Sequence, residues 1–302
     1  MRKIPGCLFL VWFCAIAGCL ISGELKLTDK TGHVTFQDPS YCDGHVVDLY
    51  YRLPERLASD SPVLFVCHGV KRNPEKYLKD WKEYAEKLGV ILLAPGFLKG
   101  QFPKGRNYNQ GYVLDRNRQL NPKEKWTFPV IEEIFMAVKN SLKLSTQSFI
   151  IYGHSAGAQF VHRLIIFADK LSCSLAISAN PGSLTFLDSK ERYPYGLGYL
   201  EKLKLDYSEI FKRNFVLMIG LEDKDPNHKY LSRTPESMNE GKNRLERCRN
   251  FFASSQKVAK EMSVQFNWRK IEVPGVGHSN KGMAIAAFAL IKEHLQGGQP
   301  AR

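Results

Sequence analysis

The feature that most limits the fold of this 302-residue chain is a set of short apolar runs separated by stretches with helical spacing. "PVLFVCHG" (62–69), "GVILLAPGF" (89–97), "SFIIYG" (148–153), "CSLAISANPG" (173–182) and "FVLMIG" (215–220) are such runs, and several close on glycine. Continuous apolar stretches of this length are expected of strands covered on both faces. Between them apolar residues recur at three and four. One set is Tyr77, Leu78, Trp81, Ala85 and Leu88, and a second is Val130, Ile131, Ile134, Phe135 and Val138. A third helix places Val161, Leu164, Ile165 and Ala168 on its inner face. "HVVDLYYRL" (45–53) reads as an early strand, residues 238–262 as one long helix, and "VQFNWRKIEV" (264–273) as a last strand. A terminal helix carries Ile285, Phe288, Ile291 and Leu295. Alternating strands and helices predict an α/β fold with a mainly parallel sheet, and right-handed crossovers put helices on both faces. In such sheets the reactive groups collect at the carboxyl ends of the strands.

Residues 183–213 are aromatic-rich, fit neither period, and form a candidate lid. A Gly-, Asn- and Arg-rich loop runs from Lys99 to about Lys125, and its Tyr108, Asn109 and Tyr112, with Tyr193 and Tyr195 of the lid, are open to either a pocket-lining or a packing role. There is no internal repeat and no low-complexity linker, so residues 24–302 are expected to form one catalytic domain.

The first 23 residues read as a targeting segment. Arg2 and Lys3 supply a positive start, and Cys7 to Ala17 is an apolar core of signal-peptide length, short for a membrane span. Ile16-Ala17-Gly18-Cys19 fits a bacterial lipobox, which would lipidate Cys19 and attach the protein to a membrane. Ala15-Ile16-Ala17 also fits ordinary signal-peptidase cleavage. Either route exports the protein, to the bacterial cell envelope or beyond it. Beyond that segment stand Cys42, Cys67, Cys173 and Cys248. Cys67 and Cys173 sit in strand runs and are expected to be buried, while an oxidising compartment could join Cys42 to Cys248. No spacing resembles a zinc site, and neither metal nor organic cofactor is called for. The net charge of +13 favours anionic surroundings. The charges are scattered and interleaved with acids, as in "KEYAEK", without the aromatic–basic module of a nucleic-acid binder.

The chemistry begins at "FIIYGHSAGAQF", where Ser155 has Gly153 and Gly157 two residues away on either side. A serine in a sharp strand-to-helix turn needs glycines there, because side chains would strike neighbouring backbone. The helix that follows aims N–H groups at developing negative charge. Among eight histidines, His278 in "VPGVGHSNKG" alone occupies a loop between the last strand and the last helix, where an imidazole can reach the serine. An acid is expected after a strand between these two, and "FVLMIGLEDKDPN" offers Glu222, Asp223 and Asp225, of which spacing favours Asp223. "CHGVKRN" would supply the oxyanion hole, with the N–H of Val70 pairing with that of Ala156.

From about His45 to Leu295 the chain resembles the α/β-hydrolase family, on "HGV" (68–70), "GHSAG" (153–157), "GLEDKDP" (220–226) and "PGVGHS" (274–279). Within that family it is most similar to secreted esterases of the polyhydroxyalkanoate-depolymerase and feruloyl-esterase group. The resemblance implies a serine esterase, and the absence of a polymer-binding module points to a small or oligomeric ester substrate. The same triad would also serve a peptidase or amidase. A binding protein that kept the fold and lost the chemistry is the rival from another class.

Overall fold

Runs of residues with no polar side chain cannot tolerate a wet face, and here they become the middle of one eight-stranded sheet. The computed structural model describes residues 25–297. The strands are β1 (Thr31–Phe36), β2 (Val47–Arg52), β3 (Val63–Cys67), β4 (Ile91–Gly96), β5 (Phe149–His154), β6 (Cys173–Ala179), β7 (Phe215–Gly220) and β8 (Arg269–Val273). They lie in the order β1-β2-β4-β3-β5-β6-β7-β8. β1–β2 and β2–β4 are antiparallel, and every other neighbouring pair is parallel. Every residue of β3, β4, β5 and β7 is buried.

The helices are α1 (Pro74–Leu88), α2 (Val130–Leu142), α3 (Ala156–Phe167), α4 (Tyr207–Lys212), α5 (Pro235–Glu240), α6 (Arg244–Glu261) and α7 (Asn280–Leu295). Two buried clusters form the core. One gathers α2, α3 and α6 against a sheet face, and the other gathers α1 and α7 against the opposite face. The buried residues of α2 are the five that its periodicity marks.

Three of the expected elements come out differently. The helix expected over 238–262 is two helices. Gly241 stands at φ 149° and Asn243 caps α6 by accepting the N–H of Glu246 at 2.9 Å, so the chain turns between α5 and α6. α7 buries Met283, Ala284, Ala287 and Ile291, while Ile285 is 60% exposed. Ala284 and Ala287 share the inner face with Met283 and Ile291, and Phe288 packs sideways on Tyr84 of α1, ring centroids 5.1 Å apart. The last strand starts at Arg269 rather than 264. The N–H of Asn267 goes to the carbonyl of Phe211, and Trp268 Nε1 to that of Ile210, so residues before β8 follow α4 instead of the sheet.

The candidate lid is fastened to α3. Arg163, fully buried, donates to Thr185 Oγ1 at 2.8 Å and to the Pro194 carbonyl at 3.0 Å. Tyr193 donates to the Gln110 carbonyl at 2.6 Å. Cys42 and Cys248 are both free and buried, so the structure contains no bond between them. The Cys42 thiol instead faces the Trp126 carbonyl at 3.0 Å. The targeting segment, including Cys19, lies outside the described residues. Among those that are described, no helix is long and apolar enough to cross a membrane.

Candidate active site

β5 ends against α3 in a turn whose apex is Ser155. Its backbone stands at φ 59° and ψ −114°, a sparsely populated region that costs about 1–3 kcal/mol and persists only where the surroundings enforce it. The enforcement is visible. The Ser155 N–H donates to the Ala179 carbonyl at 3.0 Å, and the Ser155 carbonyl accepts from Gln159 N–H at 3.1 Å. A Cβ on Gly153 would lie 2.3 Å from the Gly157 carbonyl oxygen, and one on Gly157 only 2.1 Å from that of Cys67. The sequence requirement for both glycines therefore has a steric cause. Gly157→Ala is expected to lower the unfolding free energy by about 1–3 kcal/mol, seen as a lower urea midpoint at unchanged slope.

His278, in the loop between β8 and α7, reaches both partners. Its Nε2 is 3.0 Å from Ser155 Oγ, and its Nδ1 is 2.7 Å from Asp223 Oδ2. Of the competing acids, Asp225 turns to the N–H of Asn227 at 2.8 Å, and the exposed Glu222 pairs with Lys224. Asp223 is thus the carboxylate that meets His278. Burial pushes its carboxyl upward, but the hydrogen bond and charge of His278, then those of Arg244, outweigh burial and hold it below the ordinary range. An ionised Asp223 accepts from His278 Nδ1–H, leaving Nε2 as the acceptor for the serine hydroxyl.

The loops carrying Asp223 and His278 are locked together. A Cβ on Gly220 would meet the Val276 carbonyl oxygen at 2.1 Å. The buried Asn180, just past β6, donates from Nδ2 to the Gly277 carbonyl at 2.9 Å and accepts Gly220 N–H on Oδ1 at 2.8 Å. Arg244, the first residue of α6, donates from Nη1 to the second oxygen of Asp223 at 3.0 Å. Its Nη2 lies 3.2 Å from His228 Nδ1. Sequence reasoning missed Asn180, Arg244 and His228. Arg244 lies in "NRLERCRN", whose arginines look alike until the fold buries one against the acid.

The turn after β3 is equally braced. Burial drives the pKa of His68 down to about 3, so its ring is neutral. Its Nδ1–H donates to the Gly69 carbonyl at 3.0 Å, while Nε2 accepts Phe97 N–H at 3.0 Å. Tyr108 donates to the His68 carbonyl at 2.7 Å, and the Arg72 guanidinium covers the Tyr108 ring at 4.4 Å. Tyr108 is therefore a brace of this turn rather than a pocket wall. Val70 is exposed beside Ser155 in one cleft of about 260 Å³, and a Cβ on Gly69 would be 3.6 Å from the Ser155 Cβ. Neither the N–H of Val70 nor that of Ala156 donates to a protein acceptor among the described residues. Lys71, Lys76, His154, His228 and Tyr230 complete much of the cleft wall, to which residues 183–213 contribute nothing. A larger cavity of about 520 Å³ opens by Trp126, Phe167 and Lys170, at the far end of α3 from Ser155.

No family model and no curated protein matches the sequence. Solved structures do. Poly(aspartic acid) hydrolase-1 from Sphingomonas sp. KT-1 superposes with a TM-score of 0.81 at 34% identity, covering 87% of this chain and 99% of its own. LpqC, a poly(3-hydroxybutyrate) depolymerase from Bordetella parapertussis, superposes with a TM-score of 0.80 at 24% identity, covering 90% and 92%. An S-formylglutathione hydrolase from Agrobacterium tumefaciens shares the fold at 12% identity and a TM-score of 0.57, with 88% and 94% covered. With 34% identity running the length of a solved hydrolase and the sheet in common, this chain belongs to the α/β-hydrolase family and is a hydrolase.

Proposed function

We propose that the protein is an exported serine hydrolase that cleaves carboxylic esters by acyl transfer at Ser155. The observation that carries the reading is the position of His278, 3.0 Å from Ser155 Oγ and 2.7 Å from Asp223 Oδ2. In the first half-reaction His278 takes the hydroxyl proton as Ser155 Oγ attacks the ester carbonyl. Asp223 orients the imidazole and stabilises the imidazolium. The N–H groups of Val70 and Ala156 receive the oxyanion, and His278 then protonates the departing alkoxide. Water enters by the same route, with His278 again as base, and releases the acid. The substrate is a small or oligomeric ester. Residues 24–302 form the catalytic domain behind an export signal at 1–23, with Cys19 as the lipid attachment point in the cell envelope. Membrane attachment that survives high salt and disappears in Cys19→Ala is the outcome expected of the anchor.

A second reading has its own support. The relative at 34% identity hydrolyses poly(aspartic acid), a polyamide that bears carboxylates, and Lys71 and Lys76 line the cleft of this chain. A panel of esters of graded acyl length, run beside matched amides, separates the two. Turnover of esters with little turnover of amides is expected. A preference for amides would overturn the ester reading, and no turnover of either by a folded protein would favour a binding role.

The oxyanion assignment has a clean test. Val70 is the second residue of the turn closed by Arg72 N–H on the Gly69 carbonyl at 3.1 Å, a position where proline is well accepted. Val70→Pro removes one N–H and little else, since the side chain is exposed. We expect kcat to fall on the order of 10²–10³-fold. Val70→Ala, which keeps the N–H, should remain near wild type in the same steady-state assay.

A further inference from the structure

Acyl transfer at Ser155 leaves two histidines of the cleft unused, His154, which is buried with its Nδ1 3.2 Å from the Tyr77 hydroxyl, and His228. His228 lies in the loop between β7 and α5, its ring edge-on to that of His278 with centroids 4.9 Å apart. It lines the same cleft as Ser155. Its Nδ1 faces Arg244 Nη2 at 3.2 Å and the backbone N–H of Tyr230 at 3.3 Å. An imidazole nitrogen that receives N–H groups carries no proton itself, so the ring proton of His228 stands on Nε2. Partial burial, then the Arg244 cation and His278, lower its pKa, which keeps the ring neutral with one N–H to give. Arg244 is 1% exposed and anchored on Asp223 Oδ1 at 3.0 Å. One guanidinium thus steadies the acid and sets the tautomer of His228.

The direction of that N–H matters. His278 must hand its proton to the departing heteroatom, so the leaving group lies on the His278 side of Ser155. His228 packs edge-on against His278 and lines the cleft that group enters, and its Nδ1, not its Nε2, is the nitrogen engaged by Arg244 and Tyr230 among the described residues. We propose that His228 reads the leaving group, donating its Nε2–H to a carbonyl or carboxylate oxygen on the alcohol released when Ser155 is acylated. The preferred substrate is then an ester whose leaving alcohol carries such an acceptor close to the scissile bond, as a hydroxy-acid unit does. The proposal rests on Ser155 as the nucleophile.

A rival role for His228 is a brace that merely holds Arg244. Two substitutions separate the roles. Asn places an oxygen near the Nδ1 position and keeps the acceptor for Arg244 but loses the outward donor. Gln reaches the Nε2 position with an N–H and loses the acceptor. The substrates are the butyryl ester of 3-hydroxybutyrate and the butyryl ester of 2-butanol, which differ by the carboxylate on the leaving alcohol. His228→Asn is expected to lower kcat/KM about tenfold on the first ester and by no more than about twofold on the second. His228→Gln should stay within about threefold of wild type on both. Equal losses on the two esters, a larger loss in Gln than in Asn, or no loss in Asn would overturn the proposal. Labelling of Ser155 by a small fluorophosphonate, which needs no such alcohol, should be unchanged in both variants. Failure of the wild type to label would instead overturn the nucleophile reading, and this proposal with it.

Discussion

Ser155→Ala is expected to reduce kcat for ester hydrolysis on the order of 10⁶-fold, leaving only what binding and the oxyanion donors supply. In the proposed mechanism the hydroxyl forms the acyl bond, and no other serine, threonine or cysteine lines the cleft, so the effect should be this large. Under that mechanism Ser155 and His278, 3.0 Å apart, act as one unit. His278→Ala should therefore cost nearly as much as Ser155→Ala, and the double variant little more than either. The fold should survive the serine change. Alanine fills less space than serine, and the contacts that hold the turn are made by backbone, through Ala179 and Gln159. Circular dichroism and a urea melt on the variant check that point alongside the rate.

Asp223→Asn should lower kcat on the order of 10⁴-fold, because an amide at this position favours the wrong imidazole tautomer. It should also cost stability. Arg244 is 1% exposed and its Nη1 depends on Asp223 Oδ1 at 3.0 Å, so neutralising the acid leaves a buried cation without its counter-charge. Losing one partner of a buried pair typically costs about 3–5 kcal/mol, so the assay belongs well below the variant's melting temperature. Asp225→Asn is the matched control. Asp225 is solvent-facing and engages only the local N–H of Asn227, and its kcat should stay within about twofold of wild type. A large loss in Asp225→Asn with little loss in Asp223→Asn would reverse the assignment of the acid.

How far the sequence reveals this molecule depends on whether the signal is local. The face of α2 is local: Val130, Ile131, Ile134, Phe135 and Val138 repeat with the helix and are its buried set. The elbow is local too, since both of its glycines answer to carbonyl oxygens that any such turn brings close. β1 escaped notice because it is a polar edge strand, paired only with β2 and burying just Phe36. α7 misled in part: Ile291 is buried as expected, but Met283, Ala284 and Ala287 make up the rest of the inner face while Ile285 faces solvent and Phe288 sits on the flank. Asn180, Arg244 and His228 are legible only after folding. Asn180 links Gly220 to Gly277, and Arg244 joins Asp223 to His228; no periodicity or spacing in the chain encodes either meeting.

The preorganisation around Ser155 also explains the cost the fold accepts there. A non-glycine residue at φ 59°, a neutral buried His68, and the buried Asp223–Arg244 pair are each unfavourable in isolation. Together they hold Ser155, the turn at Val70 and Asp223 in place before any substrate arrives, and in the proposed acyl transfer such preformed dipoles would act most strongly on the transition state. Tyr108 and Arg72 extend the bracing of the turn at Gly69 and Val70 to the loop after β4.

Whether Ser155 is the nucleophile is decided by covalent labelling. The purified protein is treated with a fluorophosphonate, digested, and the modified peptide sequenced by mass spectrometry. A single adduct on Ser155 is expected, absent in Ser155→Ala and strongly slowed in His278→Ala. A folded wild-type protein left unlabelled, or labelled on a serine other than Ser155, would contradict that role.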